Sequence, residues 1–424
     1  MSYDVVIVGA SFAGLTVAHH LPKHLNVLVL EQKKRLDLGV ESTGLITSAT
    51  RDQFLSFTEV DQFIPNKITT IGVISPDYNQ YFFSSTKEPW IYSTDTPKLI
   101  QHLADTLPKN VTLKKGCTYK KRLIHESHEY CVEIMYAQGQ KQHQVEAKFL
   151  VGADGGHSRV AAHSTHLSHN KKFLAGLEKV FYGNIHLGDQ PNATIYHFWF
   201  GEFSLGYGGW LSPTIEQGKP AFRVGLAKLG GDAHKLKKLD EFIDLLLEKG
   251  IITIDEPKKP FFSFGSLIPI GGVLPKLYDQ QVMLVGDAGG FCGAFAADGI
   301  KGAVVSGKVA AKLIPRHLQG DKTALPSYTA EVQKTQKLMT YYKKQVFYRW
   351  VWDRMKKDRT FQAMYKVIER EKECFINQFC DSKDKATSLA RVVLKWKNVP
   401  YLAYYSLCIF LDFFVKRKDR SFLA

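Results

Sequence analysis

A membrane-spanning helix takes about 20 consecutive apolar residues, and this 424-residue chain has no such run. Its longest weakly charged apolar stretch, Val399–Val415, counts 17 residues around a single charge, Asp412, and is marginally short for spanning. Cysteine is scarce and scattered. Cys117, Cys131, Cys292, Cys374, Cys380 and Cys408 show no paired metal-ligand spacing, which argues against a zinc site or a disulfide framework and favours reduced thiols. A basic leader, an apolar h-region and a cleavage site are also missing: the chain opens directly on Tyr3-Asp4-Val5-Val6-Ile7-Val8, so a cytoplasmic location is expected. There is no internal repeat and no low-complexity tract. With 45% hydrophobic and 23% charged residues, the composition excludes a disordered chain and a polytopic membrane protein.

What is present is a chain long enough for two or more lobes and an uneven charge. The net charge is +15, yet residues 331–424 alone hold 21 Lys/Arg against 10 Asp/Glu. A basic region suits anionic lipid, an acidic partner, nucleic acid or simply a solvated helix face. The long apolar run inside it speaks against nucleic acid. Val399–Val415 is bounded by Lys395-Trp396-Lys397 and Lys416-Arg417-Lys418 and is rich in Tyr and Phe, including Tyr401, Tyr404, Tyr405, Phe410, Phe413 and Phe414. That pattern fits a helix lying on an anionic bilayer surface or an amphipathic helix packed on the protein's own core. Peripheral contact with the cytoplasmic membrane face through this C-terminal region is the expectation.

Apolar Val5–Val8, the helix-like Leu15–Leu21 and apolar Val27–Leu30 form a βαβ opening, and the chain reads as α/β to about residue 165. From about 170 to 275, weakly alternating Tyr, Phe, Trp and Gly predict an antiparallel sheet lobe. Strand Val282–Val285 and helix Gly299–Ile314 then restore the α/β character. The expected architecture is therefore a discontinuous first domain (1–165 and 276–330), an inserted sheet lobe (170–275) and a basic, aromatic, helical C-terminal region (331–424).

The segment Gly9-Ala10-Ser11-Phe12-Ala13-Gly14 follows the first strand and precedes a helix, the context a dinucleotide fingerprint requires. Gly9 supplies the tight turn, Ser11 is small enough for close approach to a pyrophosphate at the helix start, and Gly14 permits helix–strand packing. Glu31, at the end of the second apolar run, is placed to accept hydrogen bonds from an adenosine ribose and disfavours a 2′-phosphate.

A nicotinamide dehydrogenase needs only that unit, but a second signature follows far downstream. Val285-Gly286-Asp287-Ala288-Gly289-Gly290 resembles the flavoprotein segment whose carboxylate binds the ribityl hydroxyls of FAD, a role that falls to Asp287. The continuation into helix Lys301–Leu313 predicts outward-pointing backbone N–H groups at Gly299 and Ile300, suited to an anionic flavin pyrimidine. Between the two, Gly152-Ala153-Asp154-Gly155-Gly156 is similar to the Asp-Gly segment of hydroxylase-like flavoproteins, although Ala161 or Ala162 stands where an Arg usually trails it. Over residues 1–330 the order of these motifs resembles the p-hydroxybenzoate hydroxylase-like superfamily, which implies an FAD-binding Rossmann-like (GR2-type) domain; no second Gly-x-Gly-x-x-Gly is there to provide a separate NAD(P)H domain.

Within that superfamily, Gly206-Tyr207-Gly208-Gly209-Trp210-Leu211-Ser212-Pro213 resembles a segment of the geranylgeranyl reductase family. The resemblance implies that Tyr207 and Trp210 line a tunnel holding a hydrophobic lipid, with reduced flavin saturating isolated double bonds of an isoprenoid and an external donor, NAD(P)H or a reduced carrier, supplying electrons. An extra Gly interrupts the segment, and Thr43-Gly44 stands where the family carries Cys-Gly. An isolated alkene also needs a proton donor. Tyr207, His157 and Cys292 are the candidates near the motifs, and none is singled out. The alternative is an FAD monooxygenase or halogenase using NAD(P)H and oxygen on an aromatic or polyketide substrate.

Overall fold

Apolar runs are continuous early in the chain and alternate with polar residues in its middle, and they build two different sheets: a strand covered on both faces needs no polar side, whereas one bordering a cavity does. The computed structural model describes residues 2–124, 132–198, 206–229, 237–373 and 394–415. Ser204, Leu205, Cys131, Cys374, Cys380 and Lys416-Arg417-Lys418 lie outside the described residues, as does the side chain of Tyr207.

The strands are β1 (Ser2–Val8), β2 (Val27–Glu31), β3 (Leu45–Thr47), β4 (Asn66–Ile68), β5 (Thr70–Ile74), β6 (Tyr81–Ser85), β7 (Ile91–Ser93), β8 (Val111–Lys115) and β9 (Cys117–Ile124). They continue as β10 (Val132–Gln138), β11 (Lys141–Gly152), β12 (Phe173–Ile185), β13 (Thr194–Phe198), β14 (Gly206–Glu216), β15 (Lys219–Leu229), β16 (Ile252–Ile254), β17 (Phe262–Pro269) and β18 (Val282–Leu284). The helices are α1 (Phe12–His20), α2 (Ser48–Leu55), α3 (Thr96–Asp105), α4 (Arg159–Ala162), α5 (Lys237–Glu248), α6 (Gly299–Leu318), α7 (Tyr328–Lys334), α8 (Leu338–Trp352), α9 (Asp358–Glu369) and α10 (Val399–Phe413).

The first sheet has seven strands, β8-β2-β1-β11-β10-β9 with β18 on β11. Its centre is parallel and its β9–β10–β11 side antiparallel. Val5, Val6, Ile7 and Val8 are buried, as expected for a central parallel strand. Helix α1 lies close on β1: a side chain at Gly14 would meet the Gly9 carbonyl oxygen at 1.9 Å.

The second sheet has eight strands, β16-β12-β15-β14-β13-β5-β6 with β17 on β12. One of its faces, bearing Phe181, Phe198, Leu211, Phe222, Val224 and Leu226, packs with Leu239, Phe242, Ile243 and Leu246 of α5. Two of its strands come from residues 70–85, far ahead of the 170–275 stretch that supplies most of the others, because β5 pairs in parallel with β13. A three-stranded sheet, β3-β7-β4, is interleaved in sequence with β5 and β6.

The region after 331 is helical, and α10 packs on α9 through a narrow stripe. Cys408 and Asp412 are buried, while Tyr404, Leu407, Phe410, Phe413 and Phe414 are each more than half exposed. The Asp412 carboxylate is the fastening: it accepts from the Lys356 and Lys357 amides and the Thr360 hydroxyl at 2.7–3.0 Å and pairs with Arg359. No helix among the described residues is long and apolar enough to cross a membrane.

Candidate active site

The turn after β1 has the shape its residues demand. Gly9 sits at φ +107, and a Cβ there would fall 2.3 Å from the Ala153 carbonyl oxygen, so only glycine fits. Ser11 is the extended residue ahead of α1, and its hydroxyl makes no cap bond. Phe12 and Ala13 are buried at the start of that helix. The Glu31 carboxylate is fixed beside the turn, because Ala10 N–H donates to Oε2 and Lys33 N–H to Oε1, both at 2.7 Å. Each oxygen keeps a second acceptor position for a ligand hydroxyl.

The Asp154 carboxylate is used within its own turn. It accepts from the Ser158 hydroxyl at 2.6 Å and from the Arg159 and Val160 amides at 2.7 and 3.1 Å, capping α4. What this segment presents to the cavity is therefore chiefly the backbone of Gly155 and Gly156, beside His157, which is exposed and stacked on Phe173 at 4.3 Å.

Asp287 differs. It lines the same cavity, no protein donor among the described residues reaches its carboxylate, and loss of water pushes its pKa up to about 6. Helix α6 begins against it: a Cβ at Gly299 would sit 2.9 Å from Asp287 Oδ1. The helix starts where expected, but the Gly299 N–H already donates to the Ala297 carbonyl at 3.2 Å. The Ile300 amide is among those that helix geometry leaves without an intrahelical partner at this end. Cys292 is buried in the wall here, and burial pushes its thiol well up.

These segments meet in one cavity of about 1130 Å³, bordered by Gly9–Ala13, Glu31, Asp154–His157, Asp287, Gly299 and Ile300 at one end and by the second sheet at the other. Its volume exceeds the roughly 300–1,000 Å³ of a pocket for one drug-sized ligand. The residues fit an FAD molecule: a tight amide-rich turn for the pyrophosphate, an acid held for the ribose, and a second, partly buried acid lacking any donor until polyol hydroxyls arrive.

The sheet end contains what sequence reasoning missed. Glu178, Gly225, Trp210 and His197 stand opposite one another on adjacent strands and share the cavity face. Because Gly225 has no side chain, the Trp210 indole lies flat over it, 2.1 Å from where a Cβ would be, and Nε1–H donates to Glu178 Oε2 at 2.7 Å. Glu178 is 1% exposed, and burial pushes its carboxyl up to about 7 despite Arg223 at 3.8 Å. Arg223 also donates to the Thr43 carbonyl at 2.9 Å, tying the loop that holds Thr43-Gly44 to the sheet. No local signal set them apart, because both strands carry other charged residues, Lys179 beside Glu178 and Lys219 and Lys228 on the strand of Arg223.

No family model matches the chain. In sequence it is 25% identical over 334 residues to digeranylgeranylglycerophospholipid reductase 3 of Methanosphaera stadtmanae, covering 74% of this chain and 78% of that protein. It is 26% identical over 353 residues to the digeranylgeranylglycerophospholipid reductase of Methanocella arvoryzae, covering 78% and 83%. In fold it matches a geranylgeranyl bacteriochlorophyll reductase-like protein from Thermoplasma acidophilum with a TM-score of 0.74 at 16% identity, over 95% of this chain and 99% of that one. It also matches aklavinone-11 hydroxylase, solved with FAD and aklavinone, with a TM-score of 0.62 at 18% identity, over 82% and 69%.

Proposed function

We propose that this chain, related in sequence to the digeranylgeranylglycerophospholipid reductases and sharing the fold of FAD-dependent oxidoreductases, is an FAD-dependent reductase that saturates isolated double bonds of an isoprenoid lipid. The observation carrying this reading is the single cavity that joins the dinucleotide turn and the donorless Asp287 to a chamber beneath a mostly apolar sheet. Gly9, Ser11, Phe12, Ala13 and Gly14 would hold the pyrophosphate, Glu31 the adenosine ribose, Asp287 the ribityl chain, and Ile300 the pyrimidine edge. Reduced FAD, when bound, supplies hydride at N5.

The protein's own contribution is to bind and orient. Helix-start amides stabilise negative charge near the pyrimidine without a titratable group. Trp210, with Ile71, Ile195 and Ala227, walls the chamber against water and leaves an isoprenoid chain in apolar surroundings. Electrons come from an external donor, NAD(P)H or a reduced carrier.

The finer part of the proposal concerns location. Helix α10 presents Tyr404, Leu407, Phe410, Phe413 and Phe414 outward, and α8 adds Phe347 and Trp350, amid basic residues. This surface suits an anionic bilayer, and α9, on which α10 packs, borders the cavity through Met364 and Ile368. Anaerobic photoreduction followed by addition of geranylgeranyl lipid or of oxygen tests the assignment. Lipid-dependent reoxidation with a saturated product supports it; reoxidation by oxygen coupled to hydroxylation or halogenation of an aromatic replaces it.

A further inference from the structure

Saturating a double bond consumes two electrons that reach the flavin from outside the chain, and one exposed surface is tied directly to the segments that would hold it. We propose that the loop 156–170, with the residues packed beside it, is the docking surface for a small acidic electron-carrier protein. This inference rests on the FAD-dependent reading above and not on the identity of the lipid.

One side chain closes the loop. Asn170 Nδ2 donates to the Gly156 carbonyl at 3.0 Å and to the Asp287 carbonyl at 2.8 Å, so the two ends of the loop meet and are pinned to both of the later cofactor segments. Compact surface loops whose ends meet are frequently functional. Residues 155–177 contain no Asp or Glu, and neither do residues 265–278. The two stretches lie side by side: the Ser168 amide donates to the Lys276 carbonyl and the Ile270 amide to the Lys172 carbonyl, both at 3.0 Å. Residues 1–330 as a whole hold 35 Lys/Arg against 31 Asp/Glu, so this freedom from acid is local. Arg159, Lys171, Lys172 and Lys276 are exposed there, and none pairs with a carboxylate among the described residues. The nearest acids in sequence, Asp154 and Asp279, are committed to the cap of α4 and to Arg122. Exposed His163, His166 and His169 add N–H groups able to donate to carboxylates.

Position and chemistry together choose the partner. His157 and Arg159 border the cofactor end of the cavity. Leu267, 43% exposed, borders it too, and its carbonyl oxygen lies 3.3 Å from where a Cβ on Gly156 would be. One exposed apolar residue among unpaired cations has the composition of a small, charge-steered encounter surface, the kind that weak electron-transfer complexes use. A bilayer contact takes several inserted apolar side chains, and within the loop Val160, Ala161 and Leu167 are all buried. A nicotinamide dinucleotide takes a Gly-rich turn at a helix start, and the chain has no second such fingerprint. Cations spread over an exposed loop match instead the carboxylates of a protein surface. Each alkene saturated takes two electrons from the carrier, which leaves oxidised, and two protons from solvent; a one-electron carrier docks twice.

The test mixes the FAD-loaded full chain, without oxygen, with a reduced acidic plant-type ferredoxin as probe while flavin absorbance is followed. The flavin should bleach quickly at low salt, and the rate should fall steeply as salt screens the charges. Lys171→Glu with Lys172→Glu and Lys276→Glu should slow bleaching by about tenfold or more and flatten the salt dependence, while melting temperature, FAD content and photoreduction hold. Arg at the same three positions should keep the wild-type rate. Independently of turnover, the flavin-free protein should bind oxidised ferredoxin in calorimetric titrations at low salt, and the triple Glu variant should not. A triple Glu variant with the wild-type rate and salt slope overturns the proposal; if it loses binding to anionic vesicles instead, the loop is a lipid contact. Wild-type protein that ferredoxin fails to reduce, or that NADPH reduces faster, overturns it as well. Bleaching involves no lipid, so the two readings fail separately: bleaching as expected with no isoprenoid saturated removes the lipid assignment alone, and saturation after photoreduction without charge-dependent bleaching removes the docking surface alone.

Discussion

The Trp210 indole reaches the Glu178 carboxylate over the backbone of a strand that runs between their two strands, and Gly225 is the point at which it crosses. Gly225→Ala would place a methyl group 2.1 Å from the indole ring. Overpacking of this kind typically costs 1–3 kcal/mol. A lower melting temperature and a shift in tryptophan emission are expected, with FAD affinity retained because the dinucleotide turn lies at the other end of the cavity.

Asp287 should trade stability for cofactor binding. Its folded pKa is raised, to about 6, so its contribution to stability is fully present below the ordinary aspartate range and is lost as pH climbs through about 6. Flavin-free Asp287→Asn should therefore melt higher than wild type at neutral pH, and the two should converge in acid. The same substitution should weaken FAD binding by tenfold or more, the equivalent of about 1.5–3 kcal/mol for lost bonds to a charged acceptor. Equal FAD affinities in fluorescence titrations would remove Asp287 from the cofactor site.

Glu31→Ala removes the acceptor for two backbone amides, those of Ala10 and Lys33. Stability should fall by about 1–3 kcal/mol for the stranded donors, and FAD affinity should fall with it if the turn of Ala10 holds the pyrophosphate as proposed. Denaturant unfolding of the flavin-free protein measures the first effect separately from the second.

On α10, two kinds of substitution should behave in opposite ways. Phe410→Ser with Phe414→Ser alters exposed side chains, so melting temperature and FAD content should hold while cosedimentation with anionic vesicles drops. Asp412→Ala removes the carboxylate that the Lys356 and Lys357 amides and Thr360 share, and should destabilise by roughly 2 kcal/mol or more. Vesicle binding that survives the double serine variant would assign membrane contact to another surface.

Much of this was legible in the residues. Continuous apolar runs at Val5–Val8 and Val282–Leu284 marked buried parallel strands, and Gly9 and Gly14 marked positions where backbone must approach backbone. Charge and aromatic content set the C-terminal region apart, but whether Val399–Val415 faces inward or outward was decided by Asp412, whose partners lie more than 50 residues away in sequence. For the same reason the Glu178–Trp210 pair was invisible. Its meaning depends on strand register, which brings residues 178, 210 and 225 into one row, and neither residue has a local pattern that announces the other. At Gly299, composition located the helix start correctly but not the 3.2 Å bond to Ala297 that occupies its amide.

The chain visits the eight-stranded sheet twice, first with β5 and β6 and again from β12 onward, and returns to the first sheet between the visits and after them. A chain stitched in this way has no single cut that frees one sheet whole: excising residues 170–275 leaves β13 without its β5 neighbour and strands the hairpin at 70–85. The two sheets are therefore expected to melt in one transition, and exchanging the eight-stranded sheet with that of a relative would mean transplanting two separate stretches of sequence together.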